Sequence, residues 1–308
     1  MNASPTVAER GPSPLKTNVL IGVLCLIWGS TWIVVKKSTD DLPPFTSAGI
    51  RMALASVIMG IVAFALRSRE NGEKPKLWLS ATMGFGNFAL TYGIVYWASS
   101  ILPSGLVALL WAVFPMMMAV SGHFFLDGEK LRLPQWLGFA LGFAGVAVLK
   151  GDIDSFTSTN SEFSATAVAL IVLISPLAAC IATTVIKKHG AKVSSNLLNR
   201  DGLFISAIPL LGLALLFERD AQPQWTGFAF FSIGYLAIMG TCVTFGIYYW
   251  LLRYAPAYKL SLIAYITPAI AMALGTLVGN EPLGPRTLTG AAFILGGVVL
   301  VVTKGRRR

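Results

Sequence analysis

This 308-residue sequence has little charge: Asp, Glu, Lys and Arg make up 12% of it, about half the share of an ordinary soluble protein. It has two histidines, His123 and His189, and neither an H-E-x-x-H nor a G-x-S-x-G pattern. An embedded hydrolase or transferase needs a nucleophile with its base or a metal cluster, so these absences argue against an enzyme. Neither a cofactor nor a metal is called for. The three cysteines, Cys25, Cys180 and Cys242, are odd in number and stand inside apolar runs, which excludes a disulfide framework and gives no metal-ligand spacing. Long polar stretches are missing too: past the N-terminal tail, the breaks between apolar runs reach about 13 residues at most, which leaves no room for an extramembrane catalytic domain.

What remains is largely apolar. Hydrophobic residues make up 55% of the chain and the mean hydropathy is +0.69. Thirty glycines and sixteen prolines are tolerated in helices that cross lipid, where neighbours satisfy freed backbone groups. Apolar runs recur at about 17–36, 44–66, 77–99, 103–125, 134–150, 164–186, 196–217, 225–253, 257–279 and 287–304. Each can cross roughly 30 Å of hydrocarbon as a helix. The fold class is therefore an all-α membrane protein of ten transmembrane helices, called spans 1–10 below. Residues 1–16, with Pro5, Pro12 and Pro14 and no apolar stretch, read as a disordered tail.

The net charge of +10 sits in the breaks, where a membrane would sort it, so it points to a lipid bilayer and to no nucleic acid as partner. With the N-terminus in the cytoplasm, seventeen of the 24 Lys and Arg fall on the cytoplasmic side and five on the other. Arg51 and Arg200 stand within spans. That bias places both termini in the cytoplasm.

The second half repeats the first. Tyr96-Trp97, Pro103, Leu109 and Pro115 recur 153 residues later as Tyr249-Trp250, Pro256, Leu262 and Pro268. Glu129, Leu131, Gly138 and Gly145 recur after 152 as Glu281, Leu283, Gly290 and Gly297, and Lys36-Lys37 after 151 as Lys187-Lys188. The halves are 17–155 and 156–308. Five spans per half is an odd number, so the copies enter the membrane from opposite sides. Inverted repeats of this kind characterise secondary transporters, whose sites lie near the midplane between halves.

These residues resemble a known family. Trp28-Gly29-Ser30-Thr31-Trp32 in span 1 and Arg51 in span 2 are similar to features of the EamA-type, ten-helix members of the drug/metabolite transporter superfamily. So are Pro115, Asp127-Gly128-Glu129-Lys130-Leu131 and Gly138…Gly145, with their second-half echoes Pro268, Asn280-Glu281-Pro282-Leu283 and Gly290…Gly297. The resemblance spans about residues 17–304. It implies a bacterial inner-membrane protein that exports or exchanges small metabolites, such as amino acids, through a central cavity between the halves. Span 6 departs from the pattern, since Trp28 and Trp32 align with Ala179 and Thr183.

Polar and aromatic residues near mid-span are the candidate substrate-binding set: Trp28, Asn87, Tyr92, Trp111, Ser175, Thr241, Thr244 and Tyr265. Aromatic faces suit apolar or cationic solutes, so efflux of lipophilic cations is the alternative function. A non-transporting scaffold is a remoter one. Pro115 and Pro268 free backbone carbonyls and read either as paired hinges or as static kinks. Arg51 lies about seven residues, roughly 10 Å, inside its span, and Arg200 lies similarly near an end. Both are shallow enough to snorkel, which is the favoured reading. Of the carboxylates, Asp201 alone falls within a span, so proton coupling is expected to be weak or absent. The glycine faces of spans 5 and 10 suit close packing within the chain, with a dimer contact as the alternative. A monomer or weak homodimer is expected.

Overall fold

The computed structural model describes residues 12–66, 72–125, 131–153, 164–254 and 257–304. Span 1 is Pro14–Asp41, span 2 Pro44–Leu66, span 5 Leu133–Ile153, span 7 Ser195–Phe217, span 9 Ala257–Gly279 and span 10 Pro285–Lys304. Helix therefore begins at Pro14, three residues inside the expected tail, with the Ser13 hydroxyl accepting the Lys16 N–H as a helix cap. Among the described residues, six helical stretches, Ser104–Phe125 and Ala165–His189 among them, are long and apolar enough to cross a membrane, and Leu133–Leu149, Ile266–Gly279 and Pro285–Leu300 are shorter apolar helices.

The remaining spans are not plain α-helices. Span 3 runs from Leu77–Thr82 through a π-helical Met83–Leu90 into Thr91–Ile101. Span 8 does the same: Gly227–Ala237, π-helical Ile238–Val243, Thr244–Tyr254. Shifted back by 153 residues, the second π segment falls inside the first, so the repeat extends to this detail. Span 4 breaks between Ser104–Trp111 and Phe114–Phe125, and span 6 between Ala165–Val172 and Ile174–His189. Each break stands just upstream of a proline, Pro115 or Pro176, which cannot donate to the carbonyl four residues before it. Pro268, in contrast, lies inside the unbroken helix of span 9.

Packing follows the inverted repeat. Span 2 packs on span 7 and span 5 on span 10, each against its own counterpart. Span 1 lies on span 9 as span 4 lies on span 6; span 3 touches spans 7 and 6 as span 8 touches spans 2 and 1. Exchanging the halves maps the two counterpart pairs onto themselves and each of the others onto its partner. The glycine faces serve these contacts within the chain. A Cβ on Gly145 would stand 2.8 Å from the Gly290 carbonyl oxygen and 2.9 Å from the Ile294 nitrogen, so spans 5 and 10 meet backbone to backbone.

The solvent pattern is that of a membrane protein. Phe64, Leu215, Leu216 and Phe217 point outward, whereas Ser175, Ser206, Ser232, Thr241 and Thr244 are buried. Lipid covers the first group, and the second satisfies its hydroxyls inside the bundle.

Candidate functional site

The π segments re-aim two threonines. A π turn leaves a carbonyl without its usual donor. In span 3 the Thr91 hydroxyl donates to the Gly86 carbonyl five residues back at 2.9 Å, and in span 8 the Thr241 hydroxyl donates to the Leu236 carbonyl at 2.9 Å. Gly84 and Gly86 make the bulge of span 3 possible at close quarters. A Cβ on Gly86 would lie 2.6 Å from that of Ala182, and one on Gly84 2.7 Å from Ile205.

Thr241 faces Arg51. Its hydroxyl oxygen accepts from Arg51 Nη2 at 3.1 Å and Nε at 3.4 Å, while Nη1 donates to the Tyr96 hydroxyl at 3.3 Å. The guanidinium carbon sits 4.6 Å from the centroid of the Tyr92 ring. Arg51 is 2% exposed. The snorkelling expected of Arg51 is thus overturned: span 8 closes over the residue, and the guanidinium turns inward to hydroxyls and aromatic faces. Arg200 pairs with its neighbour Asp201 at 2.6 Å. The pair lines a crevice of about 610 Å³ between spans 2, 3 and 7, together with Ser56, Ser80 and Phe204.

A second polar cluster stands across span 3. Trp111 Nε1 donates to the Ser175 hydroxyl at 2.7 Å, and Ser175 is fully buried. The two helix breaks place them: Trp111 ends the first piece of span 4 and Ser175 stands second in the second piece of span 6. The Trp111 ring stacks on Phe114 at 5.0 Å and meets Trp32 at 6.4 Å. About two turns further along span 6, the Thr183 hydroxyl donates to the Asn87 amide oxygen at 3.1 Å. Thr183 occupies the repeat position of Trp32, so the departure of span 6 from the aromatic pattern supplies a hydroxyl partner for that amide.

Of the expected residues, Tyr92 and Thr241 come together around Arg51. Trp111 and Ser175 bond each other, and Asn87 joins their side of the bundle. Trp28 packs on Phe245 at 6.0 Å and Tyr248 at 5.6 Å, between spans 1 and 8. The Thr244 hydroxyl back-bonds weakly to the Thr241 carbonyl at 3.4 Å. The Tyr265 side chain lies outside the described residues. Sequence reading missed Tyr96, Phe245 and Thr183 as partners, and it placed Arg51 at the periphery. The signal that could have placed Arg51 inward is the cost of an intramembrane charge, which outweighs its shallow depth once span 8 covers it. His123 is structural: its Nδ1 accepts the Leu131 N–H at 2.9 Å.

The family comparison decides the class. The EamA-like transporter family matches residues 15–150 and again 166–303. This chain belongs to the EamA-like transporter family. It is 28% identical over 298 residues to the uncharacterized transporter YoaV of Bacillus subtilis, covering 94% of this chain and 99% of that one. It is 27% identical to the uncharacterized inner membrane transporter YedA of Escherichia coli (strain K12), over 90% of this chain and 88% of that one. To protein PagO of Salmonella typhimurium it is 25% identical, with 92% of each covered. A solved crystal structure shares the fold, with a TM-score of 0.66 at 18% identity, over 96% of this chain and 100% of the other. The chain is therefore a multi-pass membrane transporter of two inverted five-helix repeats and not an enzyme.

Proposed function

We propose that this EamA-family transporter exports or exchanges small organic metabolites, amino acids or related compounds first among them, by alternating access of its two halves, divided at 155/156. The observation that carries this reading is the meeting of both polar clusters at the contacts between halves. Arg51, Tyr92 and Tyr96 of the first half face Thr241 of the second, and Trp111 of the first half bonds Ser175 of the second. Secondary transporters with inverted repeats bind solute at such a boundary. Trp28, Asn87, Tyr92, Trp111, Ser175, Thr241, Thr244 and Tyr265 are the residues we assign to solute, with Pro115 and Pro268 as hinges. The proposed setting is a bacterial inner membrane with both termini in the cytoplasm, on the strength of the Lys and Arg bias. A monomer suffices, because the glycine faces of spans 5 and 10 are used on each other. Efflux of lipophilic cations is the weaker reading, since a buried guanidinium repels a cation brought beside it.

Counterflow in proteoliposomes tests the proposal. Vesicles loaded with an unlabelled amino acid should accumulate the labelled one transiently, at a rate indifferent to an imposed pH gradient. Strong acceleration by that gradient would overturn the uncoupled mechanism, and absence of movement across a panel of small metabolites would overturn the transport of such solutes.

A further inference from the structure

The buried guanidinium of Arg51 has no opposite charge beside it among the described residues. Its neighbours are Tyr96, Tyr92, Thr241 and Cys242, and among the described residues no carboxylate pairs with it. The acids that might have done so are bound elsewhere. Glu218 holds the start of span 2, Glu281 the start of span 4, Asp41 the Thr226 hydroxyl, and Asp201 pairs with Arg200. A charged side chain inside a membrane protein ordinarily pairs with another charge or with backbone carbonyls, or marks a ligand's path, and the hydrogen bonds of Arg51 go to hydroxyls alone.

The bonds Arg51 does make are replaceable. Three of them, at 3.1, 3.3 and 3.4 Å, reach two neutral oxygens, although a guanidinium carries five N–H donors. A carboxylate would take two of them in parallel at about 2.7–2.9 Å. The donors now shared by Thr241 are the ones such a fork would claim, and that exchange would cut a direct hydrogen bond between span 2 of the first half and span 8 of the second. Binding would thereby loosen one contact between the halves.

We infer that Arg51 anchors a single carboxylate of the transported solute, so that the substrates are small monocarboxylates, amino acids among them. One positive charge ringed by hydroxyls and tyrosine faces balances one negative charge; the dianion of a phosphate ester would bring a second that nothing here neutralises. A cation without a carboxylate would be repelled. The inference rests on the transporter reading and adds the chemical class to it.

The experiment uses the full chain in proteoliposomes and a panel of small carboxylic and amino acids. Each is paired with its carboxamide, and phosphate esters and lipophilic cations are included. At least one acid should be transported, with its amide about tenfold or more poorer. In Arg51→Gln that ratio should fall to about twofold, and Arg51→Lys, which keeps the charge but loses the planar fork, should retain part of it. Unfolding midpoints identify variants that keep their fold. If Arg51→Gln does not fold, the acid-to-amide ratio of the native chain decides alone. Acids and amides carried alike, or transport of phosphate esters or cations only, would overturn the carboxylate anchor while leaving a transporter. No movement of any solute in the panel would sink the transport reading, and the anchor with it.

Discussion

The carboxylate of Glu281, between spans 9 and 10, accepts the backbone N–H of Ser104 at 2.6 Å and that of Gly105 at 3.1 Å, at the first turn of span 4. Glu218, after span 7, does the same for span 2, taking the Phe45 N–H at 2.7 Å and the Thr46 N–H and hydroxyl at 2.8 Å. Asp41 accepts from Thr226, whose hydroxyl in turn caps span 8 by accepting the Ala229 N–H at 3.0 Å. Each acid meets the positive end of a helix that its own chain segment does not start. These caps fasten remote spans to one another.

Glu281→Ala should therefore destabilise the fold through two orphaned donors. The expected cost is about 1–3 kcal/mol, read as a lower unfolding midpoint in detergent. Glu281→Gln keeps one acceptor and loses the charge, so its fall should be smaller. A midpoint for Glu281→Ala equal to that of the native chain would show that the cap contributes nothing.

Trp111→Phe keeps an aromatic ring against Phe114 and Trp32 and deletes the N–H given to Ser175. Ser175→Ala deletes the other partner. Each alone should cost about 1 kcal/mol. The double variant should cost less than the sum, because the second change removes a group already stranded by the first. Strictly additive losses in chemical denaturation would mean that the bond is not made in the folded state.

The architecture was largely legible in the sequence, because it rests on patterns that a chain cannot hide: apolar run length, and the spacing of Tyr96, Pro103 and Pro115 against Tyr249, Pro256 and Pro268. The site was legible in part. Thr241 and Tyr92 stood in the expected set because polar groups at mid-span must be satisfied somewhere, and the fold brings both against Arg51. Arg51 was placed at the periphery because depth was counted along its own helix, whereas burial is set by span 8 closing over it. The π segments left no periodic signal, since one extra residue in a turn changes neither composition nor span length. The carboxylate caps also escaped notice. Glu218 and Glu281 look like loop acids until the fold brings spans 2 and 4 beneath them.

Two glycines should answer the same substitution in opposite directions. Gly145 has backbone at 2.8 and 2.9 Å from where a Cβ would go, and backbone cannot step aside as a side-chain tip can. Gly145→Ala should force spans 5 and 10 apart and lower the unfolding midpoint, overriding the gain in helix propensity of about 1 kcal/mol. Gly22, inside span 1, has no such neighbour within 4 Å. Gly22→Ala should stabilise by about 0.4–1 kcal/mol. A stabilised Gly145→Ala would contradict the close contact of the two spans.

The prolines separate stability from turnover. Span 4 breaks where Pro115 offers no donor to the Trp111 carbonyl, and Met116 and Met117 both turn back to Val113 at 3.0 Å. In Pro115→Ala the regained N–H can reach that carbonyl, the break can heal, and span 4 can straighten. Pro115 stands in the first turn of Phe114–Phe125, where proline is tolerated, so the direct gain is the one recovered hydrogen bond, about 1 kcal/mol, and the unfolding midpoint should hold. Straightening carries Trp111 away from the Ser175 hydroxyl, 2.7 Å distant in the broken helix, and removes the place where span 4 can bend. Counterflow should therefore slow several-fold in a protein that is no less stable. Pro268→Ala acts on a helix that is already continuous, so it moves no side chain of the Trp111–Ser175 cluster. Any loss of turnover there reports bending during the cycle, without the loss of a resting contact. Native turnover in both variants would make the two prolines packing features and remove the hinges from the mechanism.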